Sequence, residues 1–84
     1  MKIGIVIINW NGLNLLKKYL NEIILNSDNS TVYIIDNNSS DESILYVREN
    51  YKEVKIISLD KNYGFAEGYN KGLKEVEEDY VCII

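Results

Sequence analysis

The sequence predicts an α/β domain built on a parallel sheet with helices on both faces, in the order βαβαβαβ. Three observations carry this. Short apolar runs rich in β-branched residues recur along the chain. Segments with helical spacing of apolar residues lie between them. Each of the first three runs ends in a polar cluster rich in Asn and Asp, the residues that build turns.

The first run, Ile3 to Ile8, is continuously apolar, the pattern of a strand buried on both faces. It stops at Asn9-Trp10-Asn11-Gly12. Leu13, Leu16, Leu20, Ile23 and Ile24 then recur near helical spacing, with Lys17, Lys18 and Glu22 between them. This predicts a helix over Leu13 to Leu25. Residues Thr31 to Ile35 form a second strand closed by Asp36-Asn37-Asn38-Ser39. Ser39 with Glu42 three residues on reads as a capping box, and Asp41 suits a positive helix N-terminus. The second helix is expected from there to about Asn50. Val54 to Leu59 make a third strand, Phe65 to Val76 a third helix, and Tyr80 to Ile84 a fourth strand.

The bulk properties set bounds. At 84 residues the chain holds one small domain. Its net charge of −4 and lack of a basic stripe argue against a nucleic-acid partner. It has one cysteine and no histidine, so an internal disulfide and a Cys/His zinc site are both excluded. Cys82, within Tyr80-Val81-Cys82-Ile83-Ile84, is expected to be a buried strand residue. The N-terminal apolar run is too short to span a membrane and carries no signal-peptide pattern; a cytoplasmic setting is expected. Because the fourth strand runs to the last residue, the chain also reads as a truncated piece of a longer domain.

In an open parallel sheet ligands bind outside the carboxyl ends of the strands. Here those ends are Asn9-Trp10-Asn11-Gly12, Asp36-Asn37-Asn38-Ser39 and Asp60 to Gly64, three polar loops that can line one crevice. Trp10 can stack on a nucleobase or cover the end of the sheet. Asp36 and Asn37 can accept a base imide N–H or a ribose hydroxyl, or simply build the turn. Gly64, Gly68 and Gly72 share one helical face. They suit either close packing on the sheet or an open helix N-terminus facing a phosphate. Asn70, a poor helix former, reads as a polar contact at the site or to a neighbouring loop. No Gly-x-Gly-x-x-Gly follows the first strand, and no P-loop motif occurs. Asn9-Trp10-Asn11 stands where a phospho-accepting receiver domain needs an acidic pair.

Three blocks taken together resemble family 2 glycosyltransferases, most closely their rhamnosyltransferase-like branch. They are Ile5-Val6-Ile7-Ile8-Asn9-Trp10-Asn11-Gly12, Ile34-Ile35-Asp36-Asn37-Asn38-Ser39-Ser40-Asp41-Glu42-Ser43, and Asn62-Tyr63-Gly64-Phe65-Ala66-Glu67-Gly68-Tyr69-Asn70-Lys71-Gly72. The resemblance implies a GT-A fold, a Rossmann-like sheet that binds a nucleoside diphosphate sugar such as a UDP- or dTDP-sugar. It implies base contacts at Ile8, Asn9 and Trp10, base or ribose contacts at Asp36 and Asn37, and a diphosphate border at Gly64, Gly68, Tyr69 and Asn70. Many relatives carry two acids where this chain has Asp36-Asn37, and an Arg near Tyr69 that it lacks. The same resemblance implies a full-length enzyme of cell-surface polysaccharide biosynthesis, associated with the membrane through other parts. That enzyme would transfer the sugar, with inversion, to a glycan or lipid-linked acceptor. It would use Mg or Mn on an Asp-x-Asp-like motif after the fourth strand and a later carboxylate as base. Neither lies within these 84 residues, so the chain alone is expected to bind no metal and to be inactive. Two readings stand beside the enzyme: a non-catalytic nucleotide-binding module, and a small α/β unit completed by self-association along its exposed sheet edge.

Overall fold

The computed structural model describes residues 3–83, and its elements follow the expected alternation. They are β1 (Ile3–Asn9), α1 (Leu13–Leu25), β2 (Ser30–Asp36), α2 (Ser43–Asn50), β3 (Lys55–Ser58), α3 (Gly64–Leu73) and β4 (Tyr80–Ile83). All strand pairings are parallel, and the sheet order is β3-β2-β1-β4. The order reverses at β1: the chain steps outward to β2 and β3, then returns to the far side of β1 as β4.

Alternation along the strands splits the core in two. On one face Val32 and Ile34 of β2, with Ile5 and Ile7 of β1 and Ile56 of β3, pack against Leu16 and Leu20 of α1 and Val47 of α2. On the other face Val6, Tyr33, Ile35 and Ile57 pack against Tyr69 and Leu73 of α3. Helices therefore cover both faces, two on one side and one on the other. β2 lies inside the sheet between β1 and β3, and all its residues from Val32 to Asp36 are buried. β1 alternates more than its apolar run predicts, because Ile3, Ile5 and Ile7 are only half-buried.

The glycines of α3 explain how that helix seats itself. A Cβ on Gly72 would lie 2.3 Å from Ile35 Cδ1, and one on Gly68 would lie 2.8 Å from Ile8 Cδ1 and 2.9 Å from Asn37 Nδ2. Both positions need a bare backbone so that α3 can lie against β1 and β2. Their shared face is thus a packing face. At Gly64 a Cβ would meet nothing, but φ is +79°, a left-handed conformation that glycine adopts without strain.

Three expectations are corrected. The second helix begins at Ser43, not Ser39, and no side chain caps it from the Ncap residue Glu42. The Ser39 hydroxyl is engaged elsewhere, as described below. The third helix ends at Leu73 rather than Val76; Glu75 and Val76 close tight turns onto the carbonyls of Gly72 and Leu73. Cys82 is exposed, not buried. It lies on β4, where Tyr80, Val81 and Ile83 are exposed as well, so neither face of this edge strand is covered among the described residues. Ile84, included in the expected fourth strand, lies outside the described residues.

Candidate functional site

The carboxyl ends of β1, β2 and β3 meet at one end of the sheet, and two backbone hydrogen bonds carry the parallel ladder into the loops. Asn37 N–H donates to the Asn9 carbonyl at 2.8 Å, and Leu59 N–H donates to the Asp36 carbonyl at 2.9 Å. The three predicted loops are therefore neighbours.

Asp36 stands at the centre of the first two. It is 5% exposed. Its carboxylate accepts from the Asn9 amide at 2.9 Å, the Ser39 hydroxyl at 2.6 Å and the Ser39 N–H at 3.0 Å. The Asn9 amide also reaches the Ser43 hydroxyl at 2.9 Å, which in turn donates to Asp41. The Ser39 hydroxyl accepts the Asn11 N–H at 2.9 Å. A buried carboxylate must have its lone pairs satisfied, and here neighbouring loops satisfy them. Asn9 and Asp36 thus form a buried brace beneath the site.

Asn37 is 1% exposed and braces the third loop. Its amide nitrogen donates to the Gly64 carbonyl at 2.9 Å, and its amide oxygen accepts the Tyr63 N–H at 3.2 Å. Asn62 then accepts the Gly64 N–H at 2.8 Å, closing the turn into α3. Among the described residues no buried side-chain nitrogen or oxygen lacks a partner.

What faces solvent above these braces is aromatic. Trp10 is 52% exposed and Phe65 is 70% exposed. Together with Asn37, Asn62 and Gly64 they line a hollow of about 150 Å³. A larger apolar groove of about 480 Å³ adjoins it along α1, bounded by Leu15, Tyr19 and Ile23 and sharing Trp10 and Phe65. Beside the hollow, the Tyr63 hydroxyl donates to the Asp60 carboxylate, and Lys71 Nζ lies 4.5 Å from the Tyr63 ring centre. The Tyr63 bond holds the Asp60 carboxyl below its ordinary range, and the same bond raises the Tyr63 phenol.

The predicted site residues therefore separate into two tiers. Trp10, Asn37 and Gly64 line the hollow. Ile8, Asn9, Asp36 and Gly68 lie beneath it, and Tyr69 packs into the core below α3, where burial raises its phenol. Asn70 is exposed on α3 and does not line the hollow. Phe65 and Asn62 line it but were not singled out in the sequence. The signal for Phe65 was available: a large apolar residue on the first turn of a helix that begins at a strand's carboxyl end. Asn11 and the hydroxyls of Ser39 and Ser43 were also missed, since their roles depend on contacts across loops.

The described residues do not fit a divalent metal. Among them no three His, Cys, Asp or Glu side chains cluster so as to hold one, and the Asp36 carboxylate is occupied by N–H and O–H donors. Nor is any described helix long and apolar enough to cross a membrane.

Comparison with known structures places this geometry. A mannosyltransferase from Pyrobaculum calidifontis, solved with GDP-Man and Mn2+, superposes with a TM-score of 0.80 at 20% identity, over 94% of this chain and 25% of that one. TarS from S. aureus, solved as residues 1–349 with UDP-GlcNAc, superposes with a TM-score of 0.85 at 21% identity, over 100% of this chain and 26% of that one. The chain thus spans about a quarter of the length of each, and the likeness establishes a shared GT-A, Rossmann-like fold. A search of curated protein sequences finds no match. The sequence profile of glycosyl transferase family 2 matches residues 4–84, nearly the whole chain, and so the chain belongs to that family.

Proposed function

We propose that this chain is the donor-nucleotide cradle of an inverting sugar transferase. Its donor is a nucleoside diphosphate sugar, a UDP- or dTDP-sugar, and its acceptor a glycan or lipid-linked acceptor. The observation that carries this reading is the hollow at the ends of β1, β2 and β3, lined by two exposed aromatic rings together with Asn37, Asn62 and Gly64. A ring such as Trp10 offers a stacking face worth roughly 1–3 kcal/mol per base. The exposed Asn62 presents an amide of the kind that pairs with base edges or ribose hydroxyls, while the Asn37 amide, taken up by Gly64 and Tyr63, holds the loop that carries it. The α3 N-terminus beside them favours the negative diphosphate.

In this reading Trp10 and Phe65 receive the base, Asn62 orients it, Asn37 holds the loop that carries Asn62, and Gly64 lets the backbone approach the diphosphate. Ile8, Asn9, Asp36, Gly68 and Tyr69 support those groups from below. A metal and a general base, if the full-length protein uses them, come from residues other than those described. The same holds for any attachment to a membrane. The exposed β4 gives self-association its one supporting observation, an uncovered edge strand; light scattering that finds only monomer would remove that reading.

Calorimetric titration of the chain with UDP and dTDP tests the proposal. Saturable heat is expected from the wild type, and its loss in Trp10→Ala. Absence of heat at millimolar nucleotide would count against a cradle formed by these residues.

A further inference from the structure

Resting on that reading, we propose that Asn11 is a positioning residue whose side chain zips the first two loops together and so holds the Trp10 ring ready for a nucleobase. Asn11 is the loop's unusual backbone: a non-glycine residue at φ 50°. Such a conformation is uncommon for a side-chain-bearing residue and most accessible to Asn and Asp. It turns the Asn11 amide oxygen toward the β2–α2 loop. There the oxygen accepts from the Ser40 N–H at 2.7 Å and the Asp41 N–H at 3.1 Å, with the Ser40 hydroxyl at 3.4 Å. The two backbone partners are both donors, so the oxygen, not the nitrogen, must face them. The Asn11 N–H meanwhile donates to Ser39, and the Leu13 N–H donates to Asp41 Oδ2 at 3.2 Å. Five contacts thus join residues 11–13 to residues 39–41 on the surface. Below them, the Asn9 amide joins Asp36 and Ser43.

Trp10 sits between these two anchors. Its neighbours Asn9 and Asn11 are both tied into the β2–α2 loop, while its own ring is half exposed. A half-exposed tryptophan on a free loop would sample many orientations, and ordering it on binding would cost affinity. A tryptophan whose backbone is fixed on both sides has much of that ordering done already. The zipper therefore sets the readiness of the ring, without Asn11 lining the hollow itself.

Trp10 is the only tryptophan in the chain, so its fluorescence reports its own mobility. Steady-state anisotropy is measured on the free chain, then affinity for UDP and dTDP. Asn11→Ala is expected to lower the anisotropy and weaken binding about tenfold, the scale of losing a few surface hydrogen bonds together with preorganisation. Asn11→Asp keeps an acceptor oxygen and tolerates the left-handed backbone, and is expected to restore most of both. The anisotropy uses no nucleotide, so it decides the proposal even where the chain binds none, an outcome that bears on the functional reading instead. An Asn11→Ala chain with native circular dichroism and unchanged anisotropy would overturn the proposal, as would a loosened ring with unchanged affinity. Should Asn11→Ala not fold, Asn11→Gly removes the same amide and accepts the left-handed backbone without strain, and unchanged anisotropy there overturns it equally.

Discussion

The loops after β1 and β2 differ from the loop after β3 in how they are held. The first pair share a buried carboxylate, a buried amide, two serine hydroxyls and a surface zipper, spread over Asn9 to Leu13 and Asp36 to Ser43. The third is tied to the rest of the site chiefly by one residue, Asn37, through Tyr63 and Gly64. Its remaining bonds are local, from Tyr63 to Asp60 and from Gly64 to Asn62. Both regions line the same hollow. The asymmetry is one of side-chain ties: several join the first two loops, while Asn37 supplies those to the third.

Among the buried ties is that of the Asp36 carboxylate with the Asn9 amide. Asp36→Ala removes the buried acceptor of three hydrogen bonds, from the Asn9 amide, the Ser39 hydroxyl and the Ser39 N–H, so it is expected to cost about 3 kcal/mol in urea denaturation. A cost near zero would show that the brace is redundant. Next in size is Gly72→Ala, whose new methyl would press on the fully buried Ile35. Overpacking of this kind costs about 2 kcal/mol, and the damage should fall on the seat of α3 and leave Trp10 anisotropy alone.

A smaller effect is expected from Asn37→Ala, about 1 to 2 kcal/mol for two hydrogen bonds left unmade. Its signature is regional: amide exchange at Tyr63 and Gly64 should quicken while that at Ser40 and Asp41 stays slow. Equal quickening in both loops would contradict the asymmetry. The smallest effect is one of pH. Partial burial works against ionisation of Asp41, but bonds from the Ser43 hydroxyl, the Ser43 N–H and the Leu13 N–H outweigh it and hold the carboxyl below its ordinary range. A lowered carboxyl contributes stability that is present above the unfolded-state value and is lost as pH falls through the folded one. Asp41→Asn should therefore flatten the acid limb of the stability curve slightly and leave stability at neutral pH less affected than Asp36→Ala does.

Much of this molecule was readable from residue order. The β-branched runs, the Leu13 to Leu25 helix and the three polar strand ends all stand where patterning and turn chemistry place them. What could not be read is what depends on contacts distant in sequence. Ser39 and Glu42 have capping-box spacing, yet the Ser39 hydroxyl donates to Asp36 three residues before it and accepts the Asn11 N–H, which arrives from the end of β1. Cys82 has a buried composition around it, but burial of an edge strand depends on whatever lies against it. Asp36 has the chemistry of a ligand contact, and its carboxylate accepts from Asn9 and Ser39; sequence cannot tell a carboxylate facing outward from one facing its own loop.

Reception of a nucleobase in the aromatic hollow is tested by two-dimensional NMR of the labelled chain titrated with UDP and dTDP. Saturable shifts are expected at the Trp10 indole, Phe65, Asn62 and Gly64, with weaker ones at Asn9 and Asp36. Shifts that are absent, or that gather along β4 or at the α2 face instead, would contradict it.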